Sequence, residues 1–362
     1  MKKLIKNTKE HILCVRPDGM GDVLMTSPAF RALKETYSHI KLSLLTSPAG
    51  EAIAQFIPEI DEVISVKVPW EKMETYPATS KDLLGLIQML KQKKFDRAII
   101  FTTFSQDASL SALLCYLAEI PERLAYSARK PYALLTDWIR DTEPTQTIRH
   151  EVKRQLELVK YIGATTSNKK LSLQIPSSAK KSLEKILAHK NISLTKPIIL
   201  LHPGASSVKR QYSPSGFAQI ALRLHDLGYQ IICTGDEKEK ALVNSIISES
   251  NNTIVSLAGI LSLAELIVLI SFSSLLISNN TGTVHIAAAL QTPIIDLYAL
   301  TNPQHTPWQV PSTVLYFQVA KSLQHEVVEN SIPVNALPLR NPLQVVTEAI
   351  RLLEQIHRHS YL

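Results

Sequence analysis

The sequence predicts an α/β protein made of two doubly wound halves, each built on a parallel sheet. Three observations predict it. The chain has 362 residues, more than one hydrophobic core usually serves, so two domains are expected. Short apolar runs of strand length alternate with helical patterns, first over residues 11–162 and again over 198–297. Several of those runs end in polar turns that open a helix, which is where such sheets hold ligands.

The elements follow in order. His11–Arg16 is a first strand, and residues 23–37 form the helix after it. Strands are expected at 40–45, 62–66, 97–101 and 123–126, separated by helices at 51–56, 81–93 and 108–117. Residues 150–162 are an amphipathic helix, and 165–170 are polar and loop-like. The second alternation runs through strands at 198–201, 230–233, 253–256, 275–277 and 294–297. Its helices lie at 217–227, 237–248, 264–270 and 284–290. Pro214 near the start of the first of these and Gly228 past its end are the usual asymmetry of helix termini. Residues 301–311 hold three prolines and read as a loop; 343–356 are a last amphipathic helix.

Hydrophobic residues make up 45% and charged residues 20%, the balance of a folded globular chain rather than a disordered one. The net charge of +7 points to acidic partners: nucleotides, phosphorylated sugars, an anionic membrane surface or nucleic acid. At 6% aromatic residues, with no interleaving of basic and aromatic side chains, nucleic acid is the least favoured of these. Part of the excess is local, in Lys169, Lys170, Lys180, Lys181, Lys185 and Lys190, which read as a solvated linker helix. Cys14, Cys115 and Cys233 each lie in an apolar run without a CxxC spacing, so they read as buried thiols of a reducing compartment. Behind Lys2, Lys3 and Lys6 the apolar run at 12–15 is too short for a signal peptide. The most apolar window, 260–277, carries Glu265 and four serines and reads as core. The expectation is a cytoplasmic protein, with peripheral attachment at the inner face of a membrane compatible with its charge.

Three loops after strands carry chemistry. The first is Gly19-Met20-Gly21-Asp22, where two glycines allow a tight turn close to a ligand. It is neither a full GxGxxG nor a Walker pattern. Asp22 reads in two ways: as a carboxylate capping a helix, or as a general base aimed at a ligand. The second loop, 202–209, combines Pro203-Gly204, Ser206, Ser207 and Lys209. Hydroxyls, backbone N–H groups and a lysine are what a diphosphate requires. The third is the turn Ser278-Asn279-Asn280-Thr281, with good capping residues, then Gly282, Thr283 and His285 on an alanine-rich helix. A strand, a polar turn and a helix N-terminus favour an anion. An ordinary capped crossover helix is the plainer reading of the same residues.

These loops, in this order, resemble glycosyltransferase family 9, the lipopolysaccharide heptosyltransferases. The similarity is carried by residues 16–28, by His-Pro-Gly-Ala-Ser-Ser with Lys-Arg at 202–210, and by 278–290 followed by Thr292-Pro293. The resemblance implies a GT-B fold, with two Rossmann-like domains facing across a cleft: an acceptor-side domain at 1–170 and a nucleotide-sugar-binding domain at 171–340. The last helix, 341–362, would cross back to the first domain. It implies an inverting, metal-independent transfer of a sugar, typically from ADP-heptose, to a lipopolysaccharide or other cell-envelope glycan, with no cofactor. Asp22 would be the base and Lys209 would stabilise the leaving group. Gly21, Gly204, Ser206, Ser207, Glu239, Asn280, Thr281, Gly282, Thr283 and His285 would bind the donor, Glu239 through its ribose. Independently of the resemblance, Arg123 and Arg129 are candidates for an anionic acceptor. Three positions depart from the family: Asn280 and Asn302 stand where aspartates are usual, and Gln211-Tyr212 replaces a tryptophan after Lys-Arg. A nucleotide-sugar 2-epimerase shares this architecture but wants several carboxylates or histidines in its site, and a non-catalytic nucleotide-sugar-binding protein wants none.

Overall fold

The computed structural model describes residues 9–70, 78–299, 302–318 and 335–359. Lys2, Lys3, Lys6 and the Leu300-Thr301 pair lie outside them. The chain divides into two compact units, Met1–Gln174 and Ile175–Leu362.

In the first unit the order is β1 (His11–Arg16), α1 (Met20–Thr36), β2 (Lys41–Thr46), α2 (Pro48–Ala54), β3 (Glu62–Ser65) and α3 (Ser80–Lys93). It continues with β4 (Arg97–Ile100), α4 (Ser109–Leu117), β5 (Glu122–Ser127), β6 (Asp137–Arg140) and α5 (Glu151–Lys160). The six strands lie in the order β3-β2-β1-β4-β5-β6, all parallel. β1 is central and its side chains are buried on both faces, as an unbroken apolar run demands. Leu13 and Val15 enter one core with Leu90 of α3 and Ala112 and Cys115 of α4. α1 packs on α2 and α5.

The second unit runs α6 (Ser177–His189), β7 (Ile198–His202), α7 (Pro214–Asp226), β8 (Gln230–Cys233), α8 (Lys240–Glu249), β9 (Ile254–Ser256) and α9 (Leu263–Phe272). Then come β10 (Leu275–Asn279), α10 (Gly282–Leu290), β11 (Ile294–Tyr298), β12 (Ser312–Tyr316), β13 (Leu337–Pro338) and α11 (Pro342–His359). Seven parallel strands lie in the order β13-β12-β11-β10-β7-β8-β9. Phe217 of α7, Val243 of α8 and Val345 and Ala349 of α11 close a core over β7, β8, β10 and β11.

Several expectations change. The lysine-rich stretch is helical with Lys180, Lys181 and Lys185 in solvent, as expected, but α6 is part of the second unit: it buries Ala179, Leu183 and Leu187 and packs on α9. The apolar side of α11 joins the core of the second unit, on α7, β11 and β12. β6, β12 and β13 are additional strands. β6 is an edge strand, partly buried along its length, so it lacks the apolar run by which the central strands are recognised. All three cysteines are free and buried.

Candidate active site

Each sheet has one place where the chain reverses direction of winding. In the first unit it lies between β1 and β4, in the second between β7 and β10. Loops leaving the carboxyl ends of such strand pairs diverge and open a crevice for a ligand. The first loop singled out in the sequence follows β1, the second follows β7 and the third follows β10, so all three stand at these reversal points.

In the first unit α1 starts at Met20, earlier than the expected residue 23, because Val23 N already bonds Gly19 O at 3.2 Å. Gly21 and Asp22 therefore lie in its first turn, and the capping position belongs to Gly19, which has no side chain to cap with. Asp22 reaches Arg16 instead, with Nη2 to Oδ1 at 3.0 Å. Arg16 is wholly buried and also meets two further carboxylates: Asp18 at 2.8 Å from Nε, and Glu151 of α5 at 2.9 Å from Nη2. Side-chain exposure separates the three: Glu151 0%, Asp18 7%, Asp22 23%. Asp22 is the most exposed of the three. Gln106, after β4, donates to Asp18 Oδ1, and Gln155 donates to Glu151 and to Thr102 O, tying the loops after β1 and β4 together. Burial raises the pKa of both Asp18 and Glu151, with Arg16 pulling each the other way. Sequence reasoning missed Arg16 and Glu151. The legible signal was α5 itself, whose buried side carries Glu151, Arg154 and Gln155, charged and polar where an ordinary helix is apolar.

Arg123 is a correction. Its side chain is buried and donates to the carbonyls of Leu134 (2.8 Å), Ala133 (3.0 Å) and Ile120, which leaves it a structural tie rather than an acceptor contact. Arg129, just after β5, is exposed.

In the second unit four side chains tie the loops after β7, β8, β10 and β11. Asn279, at the end of β10, donates to Pro203 O at 2.6 Å and accepts from Tyr212 N at 3.0 Å, so it pins both ends of the loop after β7. The sequence assigns Ser278 and Asn279 to a helix cap; they complete β10, and α10 begins after Thr281 with no side-chain cap. Within the pinned loop a short turn at Val208–Arg210 carries Lys209 into solvent, with Ser206 exposed beside it and Ser207 half-buried. Glu239, after β8, lies so close to Gly204 that a Cβ there would come within 1.7 Å of its carboxylate. A side chain at 204 would push the Glu239 carboxylate aside, and the loops after β7 and β8 meet at that contact. Glu239 accepts from Asp236 N at 2.8 Å, and its pKa is raised, chiefly by burial. His202 bonds Thr234 Oγ1 at 3.1 Å, and burial lowers its pKa to about 4, so it is a neutral strut. Finally Asn280 donates to Asp296 Oδ2 of β11 and to His305 O, both at 2.9 Å. Thr281, Gly282 and Thr283 form the mouth of α10, and His285 is buried on its first turn, its ring 6.4 Å from that of His305. Tyr212 packs on Phe217 and Phe317.

The sequence profile of glycosyltransferase family 9 (heptosyltransferase) matches residues 83–332. The chain belongs to that family. It is therefore a glycosyltransferase. Among relatives, lipopolysaccharide heptosyltransferase 2 of Salmonella typhimurium is 27% identical over 311 residues, 82% of this chain and 84% of that one. The Escherichia coli K12 protein of the same name is 27% identical over 306 residues, again 82% and 84%. Among solved structures, a family 9 glycosyl transferase from Veillonella parvula superposes with a TM-score of 0.79 at 19% identity, covering 98% of this chain and 99% of that one. E. coli ADP-heptose lps heptosyltransferase II does so at 0.71 and 23%, covering 96% and 99%. The family-9 enzyme described here thus has the GT-B fold, with one Rossmann-like sheet in each unit.

The amide at position 280 serves Asp296 as a donor. That carboxyl is wholly buried, its pKa is pushed up to about 8 by burial, and the Asn280 amide is the group that opposes the rise. Asn280→Asp would set two carboxyls face to face in this family-9 enzyme. Two such groups bind a proton more tightly folded than unfolded, so stability is lost as pH rises through the folded pKa. The variant is expected to melt near the wild type at pH 5 and progressively below it toward pH 8; parallel melting curves across that range would contradict the expectation.

Proposed function

We propose that this enzyme moves heptose from an ADP-linked donor to a hydroxyl of a lipopolysaccharide or related cell-envelope glycan, with inversion and without a metal. The placement of all three chemical loops at the reversal points of the two sheets carries this reading. In a single displacement the acceptor oxygen attacks the anomeric carbon, the bond from that carbon to the diphosphate oxygen breaks, and the acceptor proton passes to Asp22. Asp22 suits the role because Arg16 orients its carboxylate while leaving it partly open to solvent.

The departing diphosphate gains negative charge, which positively charged and N–H donors stabilise. Lys209, with Arg210 beside it, and the hydroxyls of Ser206 and Ser207 are displayed on the loop that Asn279 pins. The Thr281-Gly282-Thr283 mouth of α10 adds helix N–H groups on the neighbouring strand. Glu239 and Gly204, in contact, take the ribose; Asn280 and His285 take the sugar side. Nothing in this scheme calls for a metal, because lysine and the helix terminus carry the counter-charge. The relatives' names supply heptose and lipopolysaccharide, and the name of one solved structure supplies ADP-heptose.

The test is mass transfer from ADP-, UDP- and GDP-sugars to glycolipid acceptors that lack heptose, with and without a chelator. Transfer from ADP-heptose alone, insensitive to chelator, is the expected result. Epimerised free donor with no transfer would overturn it. Lys209→Ala should lose a charge-assisted contact of about 2 kcal/mol, roughly thirtyfold in kcat/KM for the donor. Unchanged kinetics would make Lys209 a surface residue.

A further inference from the structure

α4 inverts the usual pattern of a surface helix. Every exposed residue on it is large and apolar: Leu110, Leu113, Tyr116 and Leu117, between 39% and 47% exposed. The helix carries no charged side chain along its length. Their spacing sets them along one side, while Ala112, Leu114 and Cys115 face the core. The turn after β5 extends this face. Tyr132 there is 80% exposed, with Lys130 over its ring at 5.7 Å and Arg129 exposed beside it. Arg123 welds the two pieces together, stacked on Tyr116 at 5.4 Å and bonded to the carbonyls of Ala133 and Leu134. Of the nearby acids, Glu119 pairs with Lys91 and Glu122 with Arg97, while Asp107 accepts from Ser109 N at the start of α4. No ion pair holds Arg129 or Lys130 among the described residues.

We propose that this face docks the enzyme on a bilayer rich in anionic lipid. The proposal rests on the reading that the acceptor is lipid-borne. A ridge of three leucines and a tyrosine suits the boundary between headgroups and acyl chains. Two tyrosines, apolar in body and polar at the tip, belong at that depth. The cations at the rim complement an anionic surface, as does the net charge of +7. Arg129 and Lys130 follow the carboxyl end of β5, and α4 follows that of β4. Arg129, Lys130 and the first turn of α4 thus stand at the end of the parallel sheet where β1 delivers Asp22, and the ridge runs from there along α4 to Tyr116, beside the start of β5. No helix among the described residues is long and apolar enough to cross a membrane, so the attachment is at the surface.

The experiment is sedimentation of the full chain with vesicles, either phosphatidylglycerol with phosphatidylethanolamine or phosphatidylcholine alone. The wild type should sediment with the anionic vesicles, release at high salt, and stay in solution with phosphatidylcholine. Leu113→Glu with Leu117→Glu should weaken binding at least tenfold, and Lys130→Glu about threefold. Both variants should keep wild-type melting temperatures and wild-type transfer to a delipidated oligosaccharide acceptor. Wild-type protein that ignores anionic vesicles, or variants that bind them as well as the wild type, would overturn the proposal. So would a wild-type dimer that the double variant splits without any effect on vesicle binding, since a second copy would then cover the ridge. Absence of transfer to the soluble acceptor by the wild type would count against the transferase reading and leave the vesicle result standing.

Discussion

Asp22→Asn should transfer sugar roughly a thousandfold more slowly than the wild type, the middle of the range for losing a general base. Asparagine keeps the shape of the side chain and can still lie against Arg16, so the first turn of α1 should persist. What it cannot do is take a proton. Donor binding belongs in this scheme to the second unit, so thermal stabilisation by ADP should be nearly unchanged while kcat falls. A fall confined to KM would assign Asp22 to binding, and wild-type turnover would remove it from the mechanism. The alternative reading as a helix cap predicts a small loss of stability and no loss of rate.

Arg16→Met should be the most damaging single change to stability in the first unit. One buried guanidinium faces Asp18, Asp22 and Glu151 at 2.8, 3.0 and 2.9 Å. Methionine fills the volume but leaves two wholly or nearly buried carboxylates without their counter-charge. Breaking a buried ion pair from one side typically costs about 3–5 kcal/mol, which urea unfolding would read as a lower midpoint. The pH dependence has a definite sign. Asp18 and Glu151 already have raised folded-state pKa values, through burial and against the pull of Arg16. Without Arg16 they rise further, so stability is lost as pH climbs from the ordinary carboxylate range through those values, and the defect is mildest in acid. Adding Glu151→Gln should recover part of the loss. A double variant no better than Arg16→Met alone would show that Glu151 is not held by this charge.

The fold was legible because its signal is local. Central strands of a parallel sheet are apolar on both faces, and β1, β7, β10 and β11 announce themselves as runs such as Ile-Ile-Leu-Leu. An edge strand such as β6, with its partly buried pattern, makes no such announcement. The loops with glycine, serine, lysine and aspartate could be picked out for the same reason: turn chemistry is written in a few adjacent residues. Arg123 went wrong because a sequence shows its charge and not its surroundings. In a strand next to three accessible carbonyls, the guanidinium is consumed by the backbone.

By itself the sequence determined the alternation of strands and helices, the three loops that follow β1, β7 and β10, and their likeness to one transferase family. All of these are patterns within a few dozen residues, set by periodicity and by turn preference. Only the tertiary structure decided that those loops sit where each sheet reverses, that Asn279 and Glu239 clamp the lysine-bearing loop, and that Asp22 is the most exposed of the three carboxylates gathered on Arg16. Arg16 and Glu151 are 135 positions apart. A charge finds a partner that distant only when strand order brings the two together, and strand order is fixed by packing rather than by any local pattern.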